Sequence, residues 1–331
     1  MYLDLSNNSL HGQIPITISN LHNLVYLNFS NNHLKGKIPE SLGQLNHLKE
    51  LNLDYNSLDG QVPSSIGNLS SLSTLYLYGN LLNGALPESI GLLSNLEALV
   101  IGRNPLAGIV SEVHFTKLSN LKYLEMSWTY LTFNVSSNWI PPFQLQYTKM
   151  ISSKMGPKFP AWLQTQRSLQ SLYISNVGIV DTAPSWLWKW ASQIPHVLHL
   201  SDNQISGDLS EVLLNNTHVD LSSNSFTGQL PRFSQNVIEL RIANNPFPRR
   251  ISSFLCRKVN GGSKLEVLDL SNNSLSGKLS ICLMYWPSLT HLNLGDNNLS
   301  GKIPNSVGSL FALKALHLYN NNFFRDIPVS L

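Results

Sequence analysis

LDLSNNSLHGQIPITISNLHNL, from Leu3 to Leu24, is followed by VYLNFSNNHLKGKIPESLGQLNHL and then by KELNLDYNSLDGQVPSSIGNLSSL. The three stretches share LxLxxNxLxGxIPxxLGxLxxL. The asparagine of that pattern falls at Asn8, Asn32, Asn56, Asn80 and Asn104, a spacing of 24 each time. Thr129, Ser153 and Val177 hold the slot next, and Asn203, Asn224, Asn245, Asn273, Asn297 and Asn321 follow, which makes fourteen units. The spacing shortens to 21 before Asn224 and Asn245 and lengthens to 28 before Asn273. Units there are trimmed or extended, and outer loops are where such changes are expected. The opening letters LDLSNNSL recur from Leu268 to Leu275, as the same turn met again in the twelfth unit.

A period of 20–29 with this leucine spacing marks a leucine-rich repeat. The LxL part alternates at period two, which suits a short strand with leucines inward and the intervening residues outward. Stacked units then form an α/β solenoid with a parallel β-sheet on the concave face. The asparagine both donates and accepts where the chain leaves the strand, so in successive coils it builds a buried ladder, at about 1 kcal/mol net per hydrogen bond. Each fully buried leucine contributes roughly 1.5–3 kcal/mol. Gly12, Gly36 and Gly60 permit tight turns, and Pro15, Pro39 and Pro63 favour a short 3-10 or irregular outer segment over a long helix. One domain spanning residues 1–331, of about fourteen repeats and without caps, is the expected organisation.

The 331 residues carry a net charge of +3, and only 12% are charged. No basic run or stripe is visible, which argues against nucleic-acid binding. Residues 1–20 lack a basic start and a continuous apolar stretch, so no secretory leader is expected in them. No run of eighteen apolar residues occurs, so no membrane-spanning helix is expected. No G-x-S-x-G, H-E-x-x-H or P-loop pattern is present, and NGGSK (Asn260 to Lys264) reads as an inserted loop. His196 and His199 diverge on a strand, which disfavours a shared metal. Neither an enzyme nor a cofactor or metal site is expected.

The LxGxIP element at Leu34–Pro39 and Leu299–Pro304, varied at Leu58–Pro63 and Leu82–Pro87, resembles the plant-type leucine-rich repeat, which implies a superhelix. WIPPFQL (Trp139–Leu145), KFPAWLQTQ (Lys158–Gln166), YISNVGI with PSWLWKW (Tyr173–Trp190) and SFLCRKVNGGSKLEVLDLSNNSLSG are similar to the middle repeats of plant receptor-like proteins of the ethylene-inducing-xylanase receptor type. That resemblance implies an ectodomain on the extracellular face of the plasma membrane. It implies recognition of a microbe-derived protein or peptide, and defence signalling through a partner receptor kinase as co-receptor. The family's N-terminal cap, island loop and membrane span have no counterpart in these residues, so the chain reads as an inner-repeat fragment. Two alternatives stay open: a secreted inhibitor of microbial cell-wall-degrading enzymes, similar to polygalacturonase-inhibiting proteins, and a truncated product with no function of its own.

Solenoids of this kind bind on the concave sheet. Asp4, Ser6 and Asn7 show the small polar default of its outward positions, as do Asp269, Ser271 and Asn272. Units three to eight depart from it with Tyr55, Tyr76, Tyr78, Arg103, Tyr123, Glu125, Trp128, Lys149 and Tyr173. Aromatics and arginine anchor interfaces, so these nine residues are the expected ligand-binding surface; aromatics that merely cover the sheet are the competing reading. Trp186, Trp188 and Trp190 are read as packing rather than as a carbohydrate platform. Sequons for N-glycosylation stand at Asn7, Asn28, Asn68, Asn134, Asn215, Asn272 and Asn298. A glycan on Asn28 is expected to project from the concave sheet and to keep ligand away from the first units. Cys256 and Cys282 flank one buried slot in adjacent coils, held by Leu255 and Leu283; a disulfide follows if the chain is secreted, and two buried thiols are the alternative.

Overall fold

The computed structural model describes residues 1–248, 250–257 and 262–331. Part of the NGGSK segment, Asn260 and Gly261, lies outside the described residues. The chain forms two compact units, Met1–Gly156 with Pro160–Leu169 and Pro157–Phe159 with Gln170–Leu331. Each unit is a short solenoid. Its coils present one three-residue strand apiece, and within each unit the strands pair in parallel.

In the first unit the strands are Tyr2–Asp4, Tyr26–Asn28, Glu50–Asn52, Thr74–Tyr76, Ala98–Val100, Tyr123–Glu125 and Tyr147–Lys149. Their middle residues pair in register, Leu27 with Leu51, Leu51 with Leu75 and Leu75 with Leu99, and all point into the core. A second apolar layer comes from the outer segments, for example Leu42, Ile66 and Ile90 on 3-10 turns that each start after a proline. These turns stack closely. A Cβ on Gly67 would meet Ser89 Cβ and the Ser89 carbonyl at 2.5 Å, so the glycine of the LGxL motif sets how near successive coils come. Coils five to seven close with an aromatic cluster in which Phe115 meets Trp139 and Phe143 at 5.6 Å and Phe133 meets Trp162 at 5.7 Å. The WIPPFQL stretch therefore builds core.

In the second unit the strands are Ser171–Tyr173, Val197–His199, His218–Asp220, Glu239–Arg241, Val267–Asp269, His291–Asn293 and Ala315–His317. The two coils shortened to 21 residues lose their 3-10 turn. In its place Leu213–Leu214 pairs with Arg232–Phe233 as extended backbone, which spans the same outer arc with fewer residues. The lengthened unit carries the helix Ser252–Leu255. Trp190, in the helix Leu187–Ala191, is buried, and Trp186 stands edge-on to it at 5.7 Å. Trp188 meets Phe226 at 5.7 Å, so the three tryptophans pack against the unit.

The asparagine ladder is present in both units. Asn80 donates through Nδ2 to the carbonyls of Leu53 (2.9 Å) and Leu77 (3.2 Å) and accepts the N–H of Leu58 at 3.0 Å. Asn203 serves the coil in which Val177 holds the slot, accepting the N–H groups of Val177 and Ile179. Immediately before each ladder position the backbone is left-handed. The residues are Asn7, Asn31, Tyr55, Gly79, Arg103, Trp128 and Ser152 in the first unit, and Asn176, Asp202, Ser223, Asn244, Asn272, Asp296 and Asn320 in the second. This turn is enforced from outside. The N–H of the left-handed residue donates to a carbonyl of the next coil, as Tyr55 does to Tyr78 at 2.7 Å and Trp128 to Ile151 at 2.8 Å.

Candidate ligand-binding face

Left-handed backbone costs an ordinary L-residue roughly 1–2 kcal/mol, and asparagine, aspartate and glycine least. Most coils place one of those, or serine, in the slot. Tyr55, Arg103 and Trp128 do not, and their φ angles of 51°, 49° and 58° make them outliers for side chains of that size. All three are exposed, Tyr55 at 50% and Trp128 at 53%. They stand on the turn that follows the strand. The repeat pattern groups them with the outward residues of the sheet, but the strands end three residues earlier, at Asn52, Val100 and Glu125.

Around them lie the other expected residues of the first unit. Tyr55 meets Tyr78 edge-on at 5.4 Å, with its ring over Gly79, where a Cβ would come within 3.0 Å of it. The Arg103 guanidinium sits 5.9 Å from the centroid of the Tyr78 ring. Tyr123, on its strand end, stacks on Tyr147 at 5.9 Å. Tyr76 and Lys149 are half-buried on the same face. Tyr173 belongs to the second unit, edge-on to His199 at 5.0 Å.

Glu125 departs from expectation. It is only 7% exposed. Its carboxylate folds back over Gly102, accepting the Gly102 N–H at 3.1 Å and the Ser127 N–H at 3.2 Å. The missing side chain of Gly102 is what gives it room. Burial pushes its carboxyl above the ordinary value, against the pull of the Ser127 and Gly102 hydrogen bonds and of Lys149. Glu125 therefore holds the face together more than it offers contact.

Asp54, which the sequence reading passed over, is the second unusual carboxyl. Burial pushes it up to about 6, against the Tyr78 N–H that it accepts at 2.6 Å, and Glu125 adds to the rise. Burial likewise raises the Tyr76 and Tyr78 phenols, and Arg103 offsets part of the effect at Tyr78.

In the second unit the sheet face carries ionisable side chains that the repeat pattern did not single out. Strand register sets His199 beside Asp220, Asp220 beside Arg241, and Arg241 beside Asp269. Arg241 Nε donates to Glu239. Burial holds His199 below the ordinary histidine value despite Asp220 and Glu239. Among the described residues no group of three His, Cys, Asp or Glu is placed to hold a metal, and no helix is long and apolar enough to cross a membrane.

Asn28 also requires correction. It is 8% exposed, and its Nδ2 donates to the Tyr26 hydroxyl at 3.1 Å and to Asp4 at 3.3 Å. Outward direction on a strand does not guarantee access: Tyr26 of the same strand and Asp4 of the preceding coil close over the side chain and leave little room for a glycan. Asn7, Asn68, Asn134, Asn272 and Asn298 are exposed, and Asn215 is half-buried with its Oδ1 accepting from Ser234 and Asn236. Cys256 and Cys282 are joined, with Cα atoms 4.9 Å apart. The cystine is at the surface, with Cys256 exposed, while Leu255 and Leu283 beside it are buried.

A family model for a leucine-rich repeat region matches residues 1–184, more than half of the chain. The chain belongs to the leucine-rich-repeat family. A second leucine-rich-repeat model matches residues 264–286 and 288–310. Among curated leucine-rich-repeat proteins, the chain is 40% identical over 188 residues to Receptor-like protein EIX2 of Solanum lycopersicum, covering 56% of this chain and 18% of that one. It is 43% identical over 136 residues to Receptor-like protein EIX1 of the same plant, covering 40% and 13%. The chain thus spans under a fifth of the length of these relatives. Among solved structures it is similar to PEPR1–AtPEP1, with TM-score 0.87 and 28% identity over 100% of this chain and 46% of that one. It is also similar to the ectodomain of the Arabidopsis thaliana membrane receptor kinase GASSHO1/SCHENGEN3 in complex with CASPARIAN STRIP INTEGRITY FACTOR 2, with TM-score 0.78 and 28% identity over 98% and 42%.

Proposed function

We propose that the open sheet face of the first unit is the ligand-recognition surface of a plant cell-surface receptor-like protein, and that its ligand is a protein or extended peptide. Tyr55, Tyr76, Tyr78, Arg103, Tyr123, Trp128 and Lys149 supply the contact; Tyr173 stands on the second unit's own sheet face. The observation that carries this reading is the occupation of the left-handed slot by Tyr55, Arg103 and Trp128. Each pays local strain to present a large side chain to solvent, where asparagine or glycine would fold more easily. Backbone strain of this kind concentrates at binding sites.

The receptor-like relatives support the receptor part of this reading; an ectodomain outside the cell, defence signalling, a microbe-derived ligand and a receptor kinase as co-receptor are the part we infer from the family resemblance alone. The similar structures PEPR1–AtPEP1 and GASSHO1/SCHENGEN3 with CASPARIAN STRIP INTEGRITY FACTOR 2 support a partner bound by a solenoid of this kind.

The test uses the chain secreted with an affinity tag and panned against a random-peptide phage library. Peptides enriched on the wild type should lose at least about tenfold in affinity on Tyr76→Ala, Tyr78→Ala and Trp128→Ala, the loss expected when an aromatic anchor is truncated. Tyr130→Ala, exposed away from the strand face, serves as the control. Peptides that bind all variants equally would place recognition elsewhere.

A further inference from the structure

A pocket of about 190 Å³ opens beside the helix Ser252–Leu255 in the second unit. Phe247, Phe254 and Leu275 give it an apolar floor. Arg250, exposed, and Arg257, half-buried, are its charged lining residues, and Gln229 and Ser253 are polar ones. Among the described residues no carboxylate lines it.

The sequence holds Arg257 firmly. The helix buries Phe254 and Leu255, and the Arg257 N–H donates to the Phe254 carbonyl at 3.2 Å. The residue before it, Cys256, is tied to Cys282 of the next coil. The guanidinium is thus delivered by a backbone fixed on two sides.

Nη1 of Arg257 is shut off from solvent and has no hydrogen-bond partner. A guanidinium does not shed its charge, and a buried charged donor without an acceptor is among the more costly features a fold carries. Among the described residues the ion pairs are Lys122–Glu97, Lys158–Asp181, Arg232–Glu211 and Arg241–Glu239, so neither Arg250 nor Arg257 is neutralised by a carboxylate. Arg257 is half-buried and Arg250 exposed, so both arginines border a pocket that keeps contact with solvent. An oxyanion in the pocket offsets the charge of both arginines and accepts from the Arg257 N–H groups other than the enclosed Nη1.

We propose that this pocket binds an oxyanion of the phosphate or sulfate type, clasped by Arg250 and Arg257. The anion arrives either free or as a substituent on a larger ligand whose apolar body rests on Phe247 and Phe254. The site is separate from the sheet face of the first unit and does not depend on the function proposed for it.

The test is a thermal melt and calorimetric titration of the full chain in chloride buffer at fixed ionic strength. Inorganic phosphate or sulfate at millimolar concentration should raise the melting temperature above that in matched chloride and give a saturable binding isotherm. Arg257→Met, which keeps the aliphatic stem, should abolish the response. Arg250→Gln should weaken it by about tenfold, the cost of one charge-assisted partner. Phenyl phosphate binding more tightly than inorganic phosphate assigns the site to a group on a larger ligand, and equal affinity assigns it to the free ion. Phosphate and sulfate acting no differently from chloride would overturn the proposal. So would an Arg257→Met response equal to that of the wild type. If Arg257→Met fails to fold, the Arg250→Gln isotherm decides, and an unchanged affinity there refutes the clasp.

Discussion

Replacing Asn80 by leucine is nearly isosteric, so it removes hydrogen bonds while leaving almost no cavity. Asn80 is 4% exposed and serves three backbone groups. Two of them keep another donor, since the Leu53 carbonyl still accepts from Asn56 at 3.2 Å and the Leu77 carbonyl from Asn104 at 2.8 Å. Losing those shared bonds costs about 0.5 kcal/mol each. The third group, the buried N–H of Leu58, is left with nothing, at about 1–3 kcal/mol. The expected total is about 3 kcal/mol, concentrated in coils three and four. Asn321→Leu removes the same chemistry at a half-exposed position, whose bond from the Leu299 N–H is only part-buried, and should cost less, about 1–2 kcal/mol. Because each coil rests on its neighbours, unfolding of an array need not be all-or-none, and peptide-resolved hydrogen exchange is the better assay beside urea unfolding. Asn80→Leu should raise exchange around Leu58 and spare the second unit. A total loss under about 1 kcal/mol with unchanged protection at Leu58 would refute the ladder as a source of stability.

Two further outcomes follow from close contacts on either side of the coils. Gly67→Ala drives a methyl into Ser89 at 2.5 Å and should destabilise by about 1–3 kcal/mol in urea unfolding; a neutral result would mean the outer turns have slack. Asp54 is raised from the ordinary 3.8 to about 6 in the folded chain, so the fold binds its proton more tightly than the unfolded chain does. Its contribution is therefore intact below about pH 4 and is lost as pH rises through about 6, on the order of 2 kcal/mol, with Glu125 acting in the same direction. Asp54→Asn keeps an acceptor for the Tyr78 N–H. It should leave stability at pH 4 unchanged and raise it at pH 7.5, and an equal effect at both pH values would contradict the assignment.

Much of the architecture is legible in the letters because it is repeated. Leucines at fixed offsets and an asparagine every 24 residues fix strand, ladder and inward face without reference to any one coil. What escapes the reading depends on what stands in the adjacent coil. Glu125 is buried because Gly102 one coil earlier has no side chain, and Asn28 because Asp4 one coil earlier, together with Tyr26 of its own strand, closes over it. The left-handed turn was visible as a column of Asn, Asp, Ser and Gly before the ladder residue, but its significance lies in φ, which no single unit reveals. Arg257 was hidden differently. It follows the helix of the lengthened unit, where the repeat offers no template.

The left-handed turn has a consequence for how such a chain changes over time. Its backbone is dictated by the coil ahead and by the ladder beside it, so the side chain there can be exchanged without redirecting the chain. Each exchange away from asparagine, aspartate or glycine carries a similar toll of about 1–2 kcal/mol, wherever in the array it occurs. The position therefore behaves like a row of sockets with a uniform entry fee. A new surface can be written one coil at a time, and the number of bulky letters the row can hold at once is limited by how much stability the leucines leave in reserve.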